Sequence, residues 1–298
     1  MYKNMIAKVG IVMLKIKAYA KINLTLDVIS KREDGYHEIV SVMQSIDLAD
    51  ILEFEKAKSV FFECDHSKVP VGEENLIIKA FKLIKQRYDL KEGIRVRLHK
   101  NIPLAAGLAG GSADAAATIV ALDRLFDLKL SDFEKAEIAL QVGSDVPFCL
   151  IGGTKVTRGR GEKIQDLKGV NLHLLLVKPE LEISTREAYE EWDRAGLKTS
   201  NFTFSFVEAL GKGDIKKAVL SIGNDLERVI SRKYKVIEDI KKFLMGKGAI
   251  SAAMTGSGPT VYGIFETGEE LENAYHDLKE IYPFVFVSKT VDKGLEVL

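Results

Sequence analysis

Apolar and polar residues alternate through "LKIKAYAKINLTLDVI", with Ile22, Leu24, Leu26 and Val28 on one side, the two-residue period of a β-strand. "KREDGYHE" interrupts the pattern and a second run, "IVSVMQSIDL", resumes it, so Asp34-Gly35 is expected to turn a hairpin. "ILEFEKA", "SVFFECD" and "IRVRLHK" read as further strands. Between them "NLIIKAFKLIKQRYDL" takes a helical period, with Leu76, Ala80, Leu83 and Ile84 as its apolar stripe. A second helical stripe, Ala115, Ile119, Leu122 and Phe126, predicts a helix starting near Ser112, and "SDFEKAEIALQV" predicts another capped by Ser131. Beyond "DLKGVN" come a strand ("LHLLLVKP"), a series of helices to about residue 245, a strand-turn-strand ("AISAAMTGSGPTVYGIFE"), a helix ("GEELENAYHDLKEIY") and a last strand ("FVFVSKTV"). This mixture predicts an α+β protein of two lobes, residues 1–168 and 169–298.

Composition narrows the class. The 298 residues are 46% hydrophobic and 29% charged, an ordinary globular balance. Lys plus Arg equals Asp plus Glu at 43 each, which disfavours a partner held by its phosphate backbone, so no nucleic acid is expected. Lys8, Lys15 and Lys17 break the apolar N-terminus before a leader could form, and no later run approaches the roughly 18 residues of a membrane span. The two cysteines, Cys64 and Cys149, are too few for a disulfide framework or a zinc site. A cytoplasmic protein without a membrane partner is expected, with Met13 as an alternative start.

"PLAAGLAGGSADAAA", residues 103–117, spends fifteen positions on residues that contribute little to a core. Its glycines lead into a helix N-terminus, where unpaired N–H groups and the helix dipole favour an anion. The alternative is a tight connection packed by small residues. No Lys-Ser or Lys-Thr follows the glycines and the G-x-G-x-x-G spacing is absent, which sets aside the two commonest phosphate folds. Other residues read two ways by themselves. Lys21 in a strand is ordinarily a solvated side chain, Asp145 ahead of Pro147 a turn residue, "DGYH" a turn with Tyr36 and His37 on the surface, and "TGSGPT" a hairpin turn.

The glycine stretch resembles the phosphate loop of the GHMP kinases, which phosphorylate small molecules such as galactose, homoserine and mevalonate. "AYAKINLTLDVISKREDGYHEI" narrows the resemblance to members whose acceptor carries a cytidine diphosphate group. "NLIIKA", "GSDVPFCLIGGTKVTRGRGEKI", "ISTREAYE", "GNDLE" and "TGSGPTVYGIF" agree with it, in the same order, from about residue 15 to the end. The resemblance implies a two-lobed GHMP kinase fold: a ribosomal-protein-S5-like N-terminal lobe and a ferredoxin-like α+β C-terminal lobe. It implies ATP held by Pro103, Leu104, Ala105, Ala106, Gly107, Leu108, Ala109, Gly110, Gly111 and Ser112, with Asn75 and Lys100 near the adenine. Lys21 and Asp145 are then the catalytic pair, and Asn23 orients the lysine or the substrate. Tyr36 and Tyr189 (Phe in some members) enclose the cytosine ring, with His37 on its edge. Gly256, Ser257 and Gly258 support the phosphate loop from the second lobe. Magnesium is expected with ATP, without a nameable protein ligand or a metal site of the protein's own. The assembly is expected to be a monomer or weak homodimer.

Two rivals stay open. One is a GHMP kinase for a small acyclic acceptor or a sugar, in which Tyr36 and Tyr189 have no base to stack. The other is a non-catalytic RNA-binding module, since the N-terminal lobe shares its fold with a ribosomal-protein domain. The balanced charge argues against it.

Overall fold

The structure is a computed structural model and describes residues 13–298. The N-terminal stretch weighed above as a leader lies outside the described residues except for its last positions. The first hairpin forms as the alternation predicts: β1 (Leu14–Lys31) pairs antiparallel with β2 (His37–Ala57), and Gly35 in the turn takes φ +83°. β2 is one continuous strand of 21 residues, so "IVSVMQSIDL" and "ILEFEKA" are not separate. No glycine or proline separates them, so nothing breaks the extended backbone.

β3 (Phe61–Cys64), α1 (Leu76–Arg87) and β4 (Gly93–His99) follow the expected order. The stripe of α1 is rotated from the predicted one. Ile77, Ala80, Phe81 and Ile84 are buried, whereas Leu76 and Leu83 are only partly so. α2 (Gly110–Phe126) begins two residues before Ser112 and buries Ala113, Ala115, Ala116, Ala117, Ile119, Ala121 and Leu122, while Phe126 stays partly exposed. Its alanines let neighbours approach on almost every side, which a helix with one apolar stripe does not permit. α3 (Asp132–Val142) starts from a capping box in which Ser131 and Glu134 satisfy each other's backbone N–H groups. α4 (Val146–Ile151) is followed by β5 (Thr154–Gly159) and β6 (Lys163–Asp166), two strands with too little alternation to be read beforehand.

The second half contains β7 (His173–Lys178), α5 (Thr185–Ala195), α6 (Phe202–Gly211), α7 (Ile215–Leu220), β8 (Gly223–Asn224), α8 (Glu227–Lys233) and α9 (Lys235–Gly246). The hairpin β9 (Ser251–Met254) and β10 (Val261–Phe265), then α10 (Gly268–Leu278), β11 (Phe284–Lys289) and β12 (Leu295–Val297) complete it. β11 is therefore not the last strand. An antiparallel four-stranded sheet runs β11-β7-β10-β9. The larger sheet runs β12-β1-β2-β4-β3, with β5 and β6 attached through β2, and β8 through β1. β8 and β12 both come from beyond residue 169, so the first sheet draws on both halves of the chain.

That crossing changes what alternation means in β1. Ile16 and Ala18 pack with α1 and α2, Ala20, Ile22 and Leu24 with β7 and β10, and Leu26 and Val28 with α5 and α8. The polar members Lys21, Asn23, Thr25 and Asp27 are buried as well. A strand expected to be half solvated is enclosed on both faces, and its polar side chains must find partners inside.

Candidate active site

Lys21 lies on a segment of β1 that is bracketed by breaks in register at Tyr19/Lys21 and Asn23/Thr25. Such irregularities bend a strand and re-aim its side chains. The Lys21 ammonium, on a residue 4% exposed, donates to Asn23 Oδ1 at 2.8 Å and to the Gly107 carbonyl at 3.1 Å, and stands 3.5 Å from Asp145 Oδ2. Lys21 and Asp145 thus meet across 124 positions of chain. Asp145 stands at the N-cap of α4, with Pro147 in the first turn. Asn23 is held in turn: its amide donates to Ser41 Oγ at 2.8 Å and its backbone N–H to Thr255 Oγ1 at 3.0 Å.

The glycine loop is pinned to the same strand, because Lys21 N–H donates to the Leu108 carbonyl at 3.1 Å. Gly107 has φ +73°, and a Cβ there would lie 2.4 Å from the Thr255 carbonyl oxygen. A Cβ on Gly110 would lie 2.8 Å from Lys100 Nζ, whereas one on Gly111 would meet only Leu76 at 3.9 Å. The first two glycines are dictated by protein packing. The third leaves free space where α2 begins, the place an anion takes.

From the other side come Gly256, Ser257 and Gly258, with φ +57° at Gly256 and +87° at Gly258. A Cβ on Gly256 would lie 3.3 to 3.5 Å from Gly107 O, Asn23 Oδ1 and Lys21 Nζ, so this turn closes directly on the lysine. Asn224 of β8 donates its amide to the Met254 and Gly256 carbonyls, each at 2.8 Å, and Tyr262 O–H donates to the Asn23 carbonyl at 3.0 Å. Asn224 lay in the quoted "GNDLE" and Tyr262 in "TGSGPTVYGIF", but no local signal distinguished either from a structural residue.

These elements line one cleft of about 940 Å³. Lys21, Asn23, Tyr36, His37, Lys100, Pro103 through Ser112, Asp145, Tyr189, Gly256, Ser257 and Gly258 all face it. Asn75 does not. Its Oδ1 accepts from Ile77 N–H at 2.8 Å and its amide donates to the Pro70 carbonyl at 2.6 Å, so it caps α1. Asn75→Ala is expected to cost about 1 kcal/mol of stability and to leave the KM for ATP unchanged, checked by thermal unfolding and steady-state kinetics.

Lys100 reaches the cleft, but its charge is spent within the protein. Its ammonium pairs with Asp50 and, at 2.9 Å, with Asp114 Oδ2. Burial works against its charge, but Asp114 and Asp50 outweigh it and the lysine titrates above its ordinary range. Burial likewise pushes the Asp114 carboxyl well up. Asp50 Oδ1 accepts the N–H groups of Asn101 and Ile102 at 2.7 and 2.8 Å, tying this buried cluster to the residues just before the glycine loop.

The ring packed on Tyr189 is His37, with centroids 4.6 Å apart and planes 19° from parallel, and burial pushes the Tyr189 phenol up. Tyr36 is 53% exposed and carries the Arg160 guanidinium 4.7 Å from its ring centroid. His37 Nε2 is 2.6 Å from Asp193 Oδ1, and Asp193 also binds Lys31 at 2.6 Å. Asp193, Lys31 and Arg160 were not foreseen. Only the four-residue step from Tyr189 to Asp193 along a predicted helix could have pointed to one of them.

The GHMP kinases N terminal domain matches residues 75–153, and the GHMP kinases C terminal domain matches residues 206–283. The chain belongs to the GHMP kinases. It is 70% identical to the 4-diphosphocytidyl-2-C-methyl-D-erythritol kinase of Caldanaerobacter subterraneus subsp. tengcongensis, over 96% of this chain and 99% of that relative. It is 61% identical to the kinase of the same name from Thermoanaerobacter pseudethanolicus, over 95% and 98%. A crystal structure of 4-(cytidine 5'-diphospho)-2C-methyl-D-erythritol kinase superposes with a TM-score of 0.77 at 28% identity, over 93% of this chain and 98% of that one. A homoserine kinase crystal structure superposes at 0.75 with 20% identity and so shares the fold.

Proposed function

We infer that this chain phosphorylates 4-diphosphocytidyl-2-C-methyl-D-erythritol with ATP, on the acceptor's 2-hydroxyl, in the non-mevalonate route to isoprenoid precursors. Near-full-length identity of 70% to a kinase of that name carries the reading, and the meeting of Lys21, Asp145 and the glycine loop in one cleft supplies its chemistry.

ATP lies against Pro103–Ser112 with its phosphates at the start of α2. The hydroxyl oxygen bonds to the γ-phosphorus as the bond from that phosphorus to the β,γ-bridging oxygen breaks, and ADP leaves. Asp145 receives or steers the hydroxyl proton, while the Lys21 ammonium, fixed by Asn23 and Gly107, stabilises charge on the transferring group. A loose transition state needs little activation of the nucleophile, so positioning by Asp145 counts as much as its basicity.

Among the described residues no three acidic, histidine or cysteine side chains gather as a metal site. Magnesium carried in by ATP needs only one or two protein oxygens, since phosphate oxygens and waters fill its other positions. The Ser112 hydroxyl, which faces the cleft where α2 begins, fits that demand and would hold it, and the ion supplies neutralisation of phosphate charge.

The cytosine ring lies between Tyr36 and Tyr189, with the His37 ring, itself packed on Tyr189, at its edge. The cleft takes a small molecule, and among the described residues no helix is long and apolar enough to cross a membrane. Tyr36→Ala is expected to raise the acceptor KM by the worth of one stacked base, about 1–3 kcal/mol, without changing the KM for ATP.

The test is ADP release with magnesium and ATP, offering 4-diphosphocytidyl-2-C-methyl-D-erythritol, mevalonate, homoserine and galactose separately. Turnover of the cytidylyl compound alone is expected. Turnover of another acceptor alone would overturn the base-stacking reading and keep the phosphate loop. Silence with all four, together with salt-sensitive RNA binding, would favour the binding module.

A further inference from the structure

Tyr189 and Asp193 lie one turn apart on α5, and both grip the same imidazole. Tyr189 covers the ring face of His37, and Asp193 Oδ1 takes Nε2 at 2.6 Å. Lys31, which pairs with His37 across the hairpin ladder of β1 and β2, binds the other Asp193 oxygen at 2.6 Å. The hairpin end and the helix thus close on His37 from two directions. Burial opposes the Asp193 charge, but the bonds from Lys31 and His37 outweigh it and hold the carboxyl below the usual range. An ionised carboxylate only accepts, so the hydrogen between it and His37 belongs to Nε2.

A neutral imidazole with its hydrogen on Nε2 has a lone pair on Nδ1. Nδ1 has no hydrogen-bond partner among the described residues, and His37 faces the cleft. In that neutral form the one nitrogen left for a ligand is an acceptor. Cytosine and uracil differ at the 4-position, where cytosine offers an N–H donor and uracil a carbonyl acceptor. An accepting Nδ1 bonds the first and repels the second.

We propose that Asp193 is a positioning residue for base selection: by holding the hydrogen of His37 on Nε2 it makes Nδ1 an acceptor and selects a cytosine-bearing acceptor over a uracil-bearing one. This rests on the reading that His37 meets the base edge. Asp193 itself touches neither the reacting hydroxyl nor the phosphoryl group. Tyr189 fixes the ring plane and Asp193 fixes which nitrogen donates, so the two residues divide the orientation of one side chain.

The experiment compares the unaltered enzyme with Asp193→Asn, an isostere whose amide can donate to Nε2 as well as accept from it. Steady-state kinetics are measured with the cytidine diphosphate acceptor and its uridine diphosphate analogue, alongside the KM for ATP. Long-range proton–nitrogen NMR spectra of the histidines report the His37 tautomer independently of turnover. Asp193→Asn is expected to raise the KM for the cytidine acceptor by about tenfold or more, leave kcat and the KM for ATP nearly unchanged, and lower the cytidine-over-uridine ratio of kcat/KM by about tenfold. The spectra are expected to show hydrogen on Nε2 alone in the unaltered enzyme and a mixture in the variant, and Asp193→Glu, which restores the carboxylate, is expected to recover part of the ratio. A variant that keeps the full ratio, or an unaltered enzyme with hydrogen on Nδ1, would overturn the role of Asp193 while leaving base recognition intact. Equal use of both acceptors by the unaltered enzyme would overturn base recognition at His37 and this proposal with it. Failure to turn over any cytidylyl acceptor would overturn the proposed function.

Discussion

Asp145→Asn is expected to lower kcat by about 10²- to 10⁴-fold, the ordinary worth of a positioned proton acceptor, with the KM for ATP unchanged. The amide keeps the size of the carboxylate and can still accept a hydrogen bond, but it loses basicity and the charge 3.5 Å from the Lys21 ammonium. Lys21 keeps Asn23 and the Gly107 carbonyl, so the cleft should hold its shape. Single-turnover rates with saturating ATP separate the chemical step from binding. A variant with near-normal turnover would remove Asp145 from the mechanism, and one that also lost ATP affinity would place it in nucleotide binding.

The second large effect is expected at the glycine loop, and it differs between neighbours. Gly107→Ala forces a Cβ to within 2.4 Å of the Thr255 carbonyl at a backbone φ of +73°. Overpacking costs about 1–3 kcal/mol, and the left-handed conformation adds about 1–2 kcal/mol for a residue with a Cβ. A Tm lowered by roughly 5 °C is expected from about 3 kcal/mol in a chain of 298 residues. The loop and the Gly256 turn must also part to make room, and a displacement of about 1 Å at a reacting centre costs about 10²-fold in rate. Gly111→Ala should behave otherwise. Its Cβ meets only Leu76 at 3.9 Å, and alanine favours a helix over glycine by up to about 1 kcal/mol. The fold should be unharmed and the KM for ATP raised, because the methyl occupies the space in front of the α2 N-terminus. Thermal unfolding and ATP kinetics on the two variants check this contrast.

Much of the local architecture was legible in the order of residue types. The Asp34-Gly35 hairpin, the Ser131 cap and the glycine stretch running into a helix rest on side-chain period, turn chemistry and backbone freedom, which act over a few residues. Errors arose where a neighbour decided the outcome. The period of α1 was visible, but Phe81 replaced Leu83 on its buried stripe because the position of the core sets the rotation of a helix. β1 alternated like a half-exposed strand and is enclosed on both faces because β8, β12 and the second sheet cover it. Which partners Asn75 and Lys100 take within the protein was likewise hidden: Asn75 caps α1, and Lys100, while it lines the cleft, pairs with two buried carboxylates.

The sequence by itself determined most of the helices and strands, the glycine loop and the residue types able to handle a phosphate, since each depends on interactions between near neighbours. Only the tertiary structure decided which of these residues meet. Lys21 reaches Asp145, Gly107 packs on Thr255, and His37 is held by Tyr189 and Asp193 through contacts spanning 100 to 160 positions. Such contacts follow from how the two sheets and their helices pack around β1, and no local period encodes that packing.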